Sequence, residues 1–134
     1  AGGGSRVTPI NRETVDQDLH TLKMNGQDTF KFAVRAFTEV CTEALRHNHL
    51  TAEEIDLFIP HQANIRIIDA AVKRLYLSKE QVMLTIHKYG NTSSASIPVA
   101  LDEAVREGRI RPGDTLLLAA FGGGLTWGAT VLIL

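Results

Sequence analysis

The stretch Ile55-Asp56-Leu57-Phe58-Ile59-Pro60-His61-Gln62-Ala63-Asn64 decides how this chain is read. A short apolar run bounded by proline has the length and composition of a buried strand rather than a helix. Pro60 ends the run, so His61 is delivered at the strand's carboxyl end, the edge of an open α/β sheet where ligands and chemistry collect. Asn64 follows at a position suited to cap a helix. Some thirty residues on, Tyr89-Gly90-Asn91-Thr92-Ser93-Ser94-Ala95-Ser96 reads as the same design: an apolar stub, a glycine turn, a polar residue and a helix start. An imidazole and a carboxamide at two strand ends make a pair of donors for a carbonyl oxygen that gains negative charge.

Outward from these two sites, the periodicity fills in an ordered series of elements. Residues 1–24 have no clear period and read as a loop or arm, with a short strand near Leu19–Leu22. From Gln27 to about Asn48, apolar residues recur at three and four, from Phe30 and Ala33 to Ala44 and Leu45. That spacing predicts an amphipathic helix, with Asn25 as its cap. Thr51-Ala52-Glu53-Glu54 and Ser78-Lys79-Glu80-Gln81 are capping-box patterns opening short turns. A strand at 56–59 is followed by a helix from about Ile65 to Tyr76, a strand at Met83–Ile86 and a helix from about Ile97 to Arg106. Pro98 suits the first turn of that last helix and Gly108 its exit. Arg111-Pro112-Gly113-Asp114 reads as a type II turn. Strands at Thr115–Phe121 and Trp127–Ile133 close the chain around a glycine loop. The order α-β-α-β-α-β-β with short connections predicts an α/β layered sheet.

The composition excludes several function classes. A chain of 134 residues fits one domain with a sizeable core. Its net charge of −1 gives no global pull toward nucleic acid or an anionic membrane. No stretch approaches the roughly 18 apolar residues of a membrane span. The lone Cys41 excludes an internal disulfide and makes reduced cytoplasm the expected compartment. The chain begins without Met in a glycine-rich run, which reads as a piece, a processed product or a remnant of something longer.

Each candidate has a plainer reading beside the chemical one. A lone histidine is more often structural than catalytic, and Asn91 after Gly90 is first of all a turn asparagine. Cys41 lies mid-helix on the apolar face with Phe37 and Leu45. It has neither the helix N-terminus nor the positive neighbour that activates a thiol, so it reads as core. The five histidines show no metal-ligand spacing, and a zinc site is not expected. His87 reads as structural or supporting. Gly122-Gly123-Gly124 lacks the lysine and following helix of a phosphate loop, so close backbone approach explains it better. Arg66, Lys73 and Arg74 make the helix after His61 basic, which suits either a solvated face or an acidic partner.

Three segments, IPHQANIRI (59–67), HKYGNTSSASIPVALDEAVREGRI (87–110) and AAFGGGLTWGATVL (119–132), resemble the C-terminal half of the 3-oxoacyl-[acyl-carrier-protein] synthase III family. A weaker segment, MNGQDTFKFAV (24–34), stands in the same order. The resemblance implies one half of a thiolase-like αβα fold over residues 25–134, with residues 1–24 as an N-terminal arm. It implies a decarboxylative Claisen condensation of acetyl-coenzyme A with malonyl-acyl carrier protein, initiating fatty-acid synthesis. His61 and Asn91 resemble the His and Asn of a Cys-His-Asn set whose Cys lies in an N-terminal half that these residues do not include. Gln62, Ala63, Asn64, Ile65 and Arg66 resemble the stretch that meets acyl carrier protein. Gly26, Phe30 and Asn64 resemble positions beside the pantetheine channel for coenzyme A, and Phe121, Gly122, Gly123 and Gly124 resemble the active-site loop. The implied partners are acyl carrier protein, the N-terminal half and a second copy in a homodimer, with no nucleic acid or membrane. No resident cofactor is implied, since the thioesters are substrates. A secondary-metabolite ketosynthase and a non-catalytic carrier-binding module remain the alternatives.

Overall fold

The computed structural model describes residues 4–21 and 23–134. Two short helices, α1 (Gly4–Val7) and α2 (Arg12–Asp16), open them. Asn11 caps α2 through a reciprocal pair of bonds with Thr14, both 2.9 Å. The expected arm is therefore partly helical. The strand near Leu19–Leu22 is not formed: 17–20 are turn, and Leu22, like Ala1, Gly2 and Gly3, lies outside the described residues.

Helix α3 (Gly26–His47) is capped by Asn25 and buries Ala33, Val34, Ala36, Phe37, Cys41 and Leu45, the stripe that the three-and-four spacing marks. Strand β1 (Leu57–Pro60) is buried at all four positions. Helix α4 (Ile65–Leu75) is capped by Asn64, and its inner face carries Ile67, Ile68, Ala71 and Leu75. Two shorter pieces lead on, α5 (Ile86–Tyr89) and then α6 (Ser96–Arg106). Strands β2 (Thr115–Gly122) and β3 (Thr126–Ile133) form the closing hairpin.

The sheet runs β1-β2-β3, parallel between β1 and β2 and antiparallel between β2 and β3. Because side chains alternate along β2, Leu117, Ala119 and Phe121 face one side while Leu116 and Leu118 face the other. The first set packs with Phe37, Cys41, Phe58, Ile68 and Leu75 from α3, β1 and α4. The second packs with Ile59, Ala100 and Ala104 on the α6 side. Helix, sheet and helix thus form three layers. Phe37 meets Phe58 and Phe121 edge to face, at 6.4 and 5.2 Å between ring centroids. Such pairs add about 0.5–1.5 kcal/mol beyond the area they bury.

The strand expected at Met83–Ile86 shrinks to one parallel bridge between Phe58 and Val82. The Phe58 N–H donates to Gln81 O at 2.6 Å and the Met83 N–H to Phe58 O at 2.9 Å, after which the ladder stops. A side chain takes over the next backbone groups. The Gln62 carboxamide donates to Met83 O and accepts from the Thr85 and Ile86 N–H groups, so the chain turns into α5 instead of pairing onward. Tyr89 and Lys88 then reach Glu103 and pin α5 to α6. Asn91 consequently follows a helical turn and not a strand, through Gly90 at φ +68.

The turn chemistry agrees with the sequence. Gly113 has φ +97, and the Asp114 N–H reaches Arg111 O at 3.1 Å, as a type II turn requires. Gly108 leaves α6 at φ +66. Ser78 and Gln81 exchange backbone-to-side-chain bonds without opening a helix.

Candidate active site

Strand pairing fixes His61. Pro60 lies opposite Ala119 in the β1–β2 register, and the His61 N–H continues the ladder to Ala119 O at 2.8 Å. The ring is half-buried, edge-on to Phe121 at 5.8 Å between centroids. Its Nδ1 lies 2.6 Å from Ser96 Oγ at the first turn of α6. Burial holds the imidazole below its ordinary value of 6.5, which favours the neutral ring.

Gln62 corrects the sequence reading. It is fully buried, so it is no part of a surface that meets a carrier protein. Its carboxamide nitrogen donates to Pro60 O at 2.8 Å and Met83 O at 3.1 Å, and its oxygen accepts from Thr85 N at 2.9 Å and Ile86 N at 3.1 Å. All four partners are backbone, so the side chain acts as a strut between the end of β1 and the start of α5. Of the other residues in that stretch, Asn64, Ile65 and Arg66 are exposed and Ala63 is half-buried. The Arg66 guanidinium lies over the Phe30 ring, 5.6 Å from its centroid.

Two cavities meet at Phe121. One, of about 450 Å³, is lined by His61, Ser93, Ser94, Phe121, Gly122 and Trp127 among others. The other, of about 640 Å³, is lined by Gly26, Phe30, Asn64, Arg66, Asn91 and Phe121 among others. Gly26 and Phe30, about one turn apart on α3, therefore share one cavity with Asn64, which is distant in sequence. His61 and Asn91 line neighbouring cavities, with Phe121 in both walls. Asn91 enters its cavity from α5 and Gly90 rather than from a strand end. The Asn91 oxygen accepts from Ser93 N–H at 2.9 Å, the turn bond of the plainer reading, and this leaves its amide nitrogen as the outward donor.

The glycine loop splits into parts. Gly122 ends β2, while Gly123 and Gly124 form the turn to β3. Gly124 has φ +143, and a Cβ there would sit 3.0 Å from the Thr126 methyl, so close approach governs this position. Cys41 is wholly buried and its thiol is pushed up to about 12 by desolvation. It is core. Ser96 carried no signal of its own in the sequence; only its bond to His61 marks it.

The model for the C-terminal region of 3-oxoacyl-[acyl-carrier-protein (ACP)] synthase III matches residues 45–134. The chain belongs to that family. A synthase III of this family from Clostridioides difficile strain 630 is 56% identical over 130 residues, covering 97% of this chain and 39% of the relative. The solved structure of the Thermus thermophilus synthase III superposes with a TM-score of 0.82 at 57% identity, over 84% of this chain and 35% of that one. The Aquifex aeolicus synthase III superposes at 0.85 and 50% identity, over 87% and 38%. The fold is the thiolase-like α/β arrangement of these synthases. The chain spans about two-fifths of the length of the curated relatives it matches.

Proposed function

We propose that this chain supplies the His-Asn part of a beta-ketoacyl-[acyl-carrier-protein] synthase III that condenses an acetyl group from coenzyme A with malonyl-acyl carrier protein. The observation that carries the reading is His61: a half-buried imidazole at the carboxyl end of β1, held at Nδ1 by Ser96 on a cavity wall, where burial favours its neutral form. When the malonyl carboxylate leaves as carbon dioxide, the electron pair of the broken C–C bond moves onto the thioester oxygen. A neutral imidazole N–H donates to that oxygen without adding charge of its own, and the Asn91 amide nitrogen is the second donor. The enolate carbon then attacks an acyl thioester, and the sulfur leaves as thiolate. That sulfur belongs to a cysteine outside these residues, because Cys41 is buried and its thiol resists ionisation.

The cavity of Gly26, Phe30 and Asn64 takes the pantetheine arm, with Phe121 in its wall, and the loop from Gly122 to Gly124 borders the His61 side, where Gly122 lines the neighbouring cavity. Arg66, exposed at its mouth, docks the acidic carrier protein together with Ala63, Asn64 and Ile65. Lys73 and Arg74, also exposed on α4, extend the positive face. Residues 25–134 form the unit that carries the site, with 1–24 as an arm. The remainder of the synthase and a second copy are the protein partners. The reaction needs no resident cofactor. No helix among the described residues is long and apolar enough to cross a membrane, and the lone, buried Cys41 suits a reducing cytoplasm.

In the assembled synthase, His61→Ala lowers carbon dioxide release from malonyl-acyl carrier protein by about 10²-fold, while acetyl transfer to the cysteine persists. Loss of less than about threefold would remove His61 from the decarboxylation step.

A further inference from the structure

We infer that Ser96 is a positioning residue that fixes the tautomer of His61: its hydroxyl donates to Nδ1, so the ring's one hydrogen sits on Nε2. The inference rests on the role proposed for His61 above, and it deepens that role by saying how the donor is kept a donor.

The argument is a count of donors and acceptors. Ser96 is 1% exposed, so no solvent completes its bonding. Among the described residues its Oγ has two partners, the Gln62 N–H at 3.2 Å and His61 Nδ1 at 2.6 Å. A hydroxyl has one hydrogen to give and two lone pairs. The Gln62 N–H is a donor and takes one lone pair. If Nδ1 also carried a hydrogen, it would take the other, and the buried hydroxyl hydrogen would be left with no acceptor. If Nδ1 is bare, the hydroxyl hydrogen goes to it and every group is satisfied. Only the second arrangement agrees with the rule that buried polar groups are paired. No buried side-chain nitrogen or oxygen among the described residues lacks a partner.

The surroundings hold this orientation in place. Ser96 is fixed by the first turn of α6 and by α6 packing on β1 through Ala100 and Ala104. The Gln62 backbone is held by the four bonds of its own carboxamide, three of them to Met83, Thr85 and Ile86 at the entry to α5. The Gln62 N–H therefore points at Ser96 Oγ for reasons unconnected with His61. It occupies the lone pair that a protonated Nδ1 would need. Phe121, edge-on to the ring, limits rotation on the other side. The tautomer matters because a bare Nε2 would present a lone pair to an oxygen gaining negative charge, and would repel it.

The test is solid-state nitrogen NMR on the assembled synthase with isotope-labelled histidine, the His61 signals being assigned by their loss in His61→Ala. At about pH 8, where the imidazole is neutral, wild type is expected to show a bare Nδ1 and a protonated Nε2. Ser96→Ala is expected to populate the other tautomer and to lower the rate constant for carbon dioxide release about tenfold. KM for the malonyl thioester should move by less than about twofold. Ser96→Thr, which restores a hydroxyl, should return the wild-type tautomer and most of the rate. A protonated Nδ1 in wild type, or an unchanged tautomer in Ser96→Ala, would overturn the inference. The wild-type spectrum decides the matter even if a variant fails to fold. If Ser96→Ala shifts the tautomer while carbon dioxide release stays at the wild-type rate, Ser96 keeps its role and the function proposed for His61 fails instead.

Discussion

Replacing Gln62 with Leu tests how the site is built. The substitution keeps the side chain's approximate volume but removes both ends of its hydrogen-bonding group. The four partners are backbone atoms and stay where they are: Pro60 O, Met83 O, Thr85 N and Ile86 N. A matched apolar replacement is nearly neutral when both partners of a bond go, but here each remaining group keeps its desolvation cost, about 1–3 kcal/mol where water is excluded. Ile86 is only half-buried, so its N–H can find water, whereas Pro60, Met83 and Thr85 are in the interior. Three orphaned groups with partial relaxation give a loss of roughly 3–5 kcal/mol, a large share of the ~5–15 kcal/mol that holds a domain together. In urea unfolding followed by far-ultraviolet circular dichroism, with a slope near ~1.5 kcal/mol/M, the midpoint should fall by about 2–3 M. A fall of less than about 0.5 M would mean that the backbone of 83–86 finds other partners, and that Gln62 is not what ends the pairing beside β1.

Two further outcomes follow from single side chains. Cys41 should resist alkylation in the folded chain at about pH 8.5 and react once unfolded. Its raised folded value means that stability present at low pH is lost as pH climbs from about 9 toward about 12. Rapid labelling of native protein would refute its burial. Arg66→Glu in the assembled synthase should raise KM for malonyl-acyl carrier protein by about tenfold at low ionic strength, less at high salt, and change KM for acetyl-coenzyme A by less than twofold. Equal effects on both substrates, independent of salt, would exclude a docking role.

Much of the fold was legible because local signals and packing agree. Asn25, Asn64, Gly108 and the Pro112-Gly113 turn each do in the structure what their residue types predict, and α3 buries the face that its spacing marks. The strand at Met83–Ile86 misled because its apolar residues fit a strand, while the group that ends the pairing, the Gln62 side chain, lies about twenty residues earlier. No window of sequence holds both. The same strut explains two errors at the site. It hides Gln62 from any partner, and by releasing the chain into α5 it puts a helical turn, not a strand, before Asn91. Ser96 was invisible for a related reason: a serine opening a helix has many plain uses, and its contact with a residue 35 positions away exists only after folding.

A crystal structure of the assembled synthase with a non-hydrolysable malonyl-thioester analogue tests the central claim most directly. The account predicts the thioester oxygen at about 3 Å from His61 Nε2, with Nδ1 still on Ser96 and the Asn91 amide nitrogen turned toward the same oxygen past Phe121. A thioester oxygen more than about 4 Å from Nε2, or an analogue seated wholly in the cavity of Gly26 and Phe30 with His61 untouched, would contradict it.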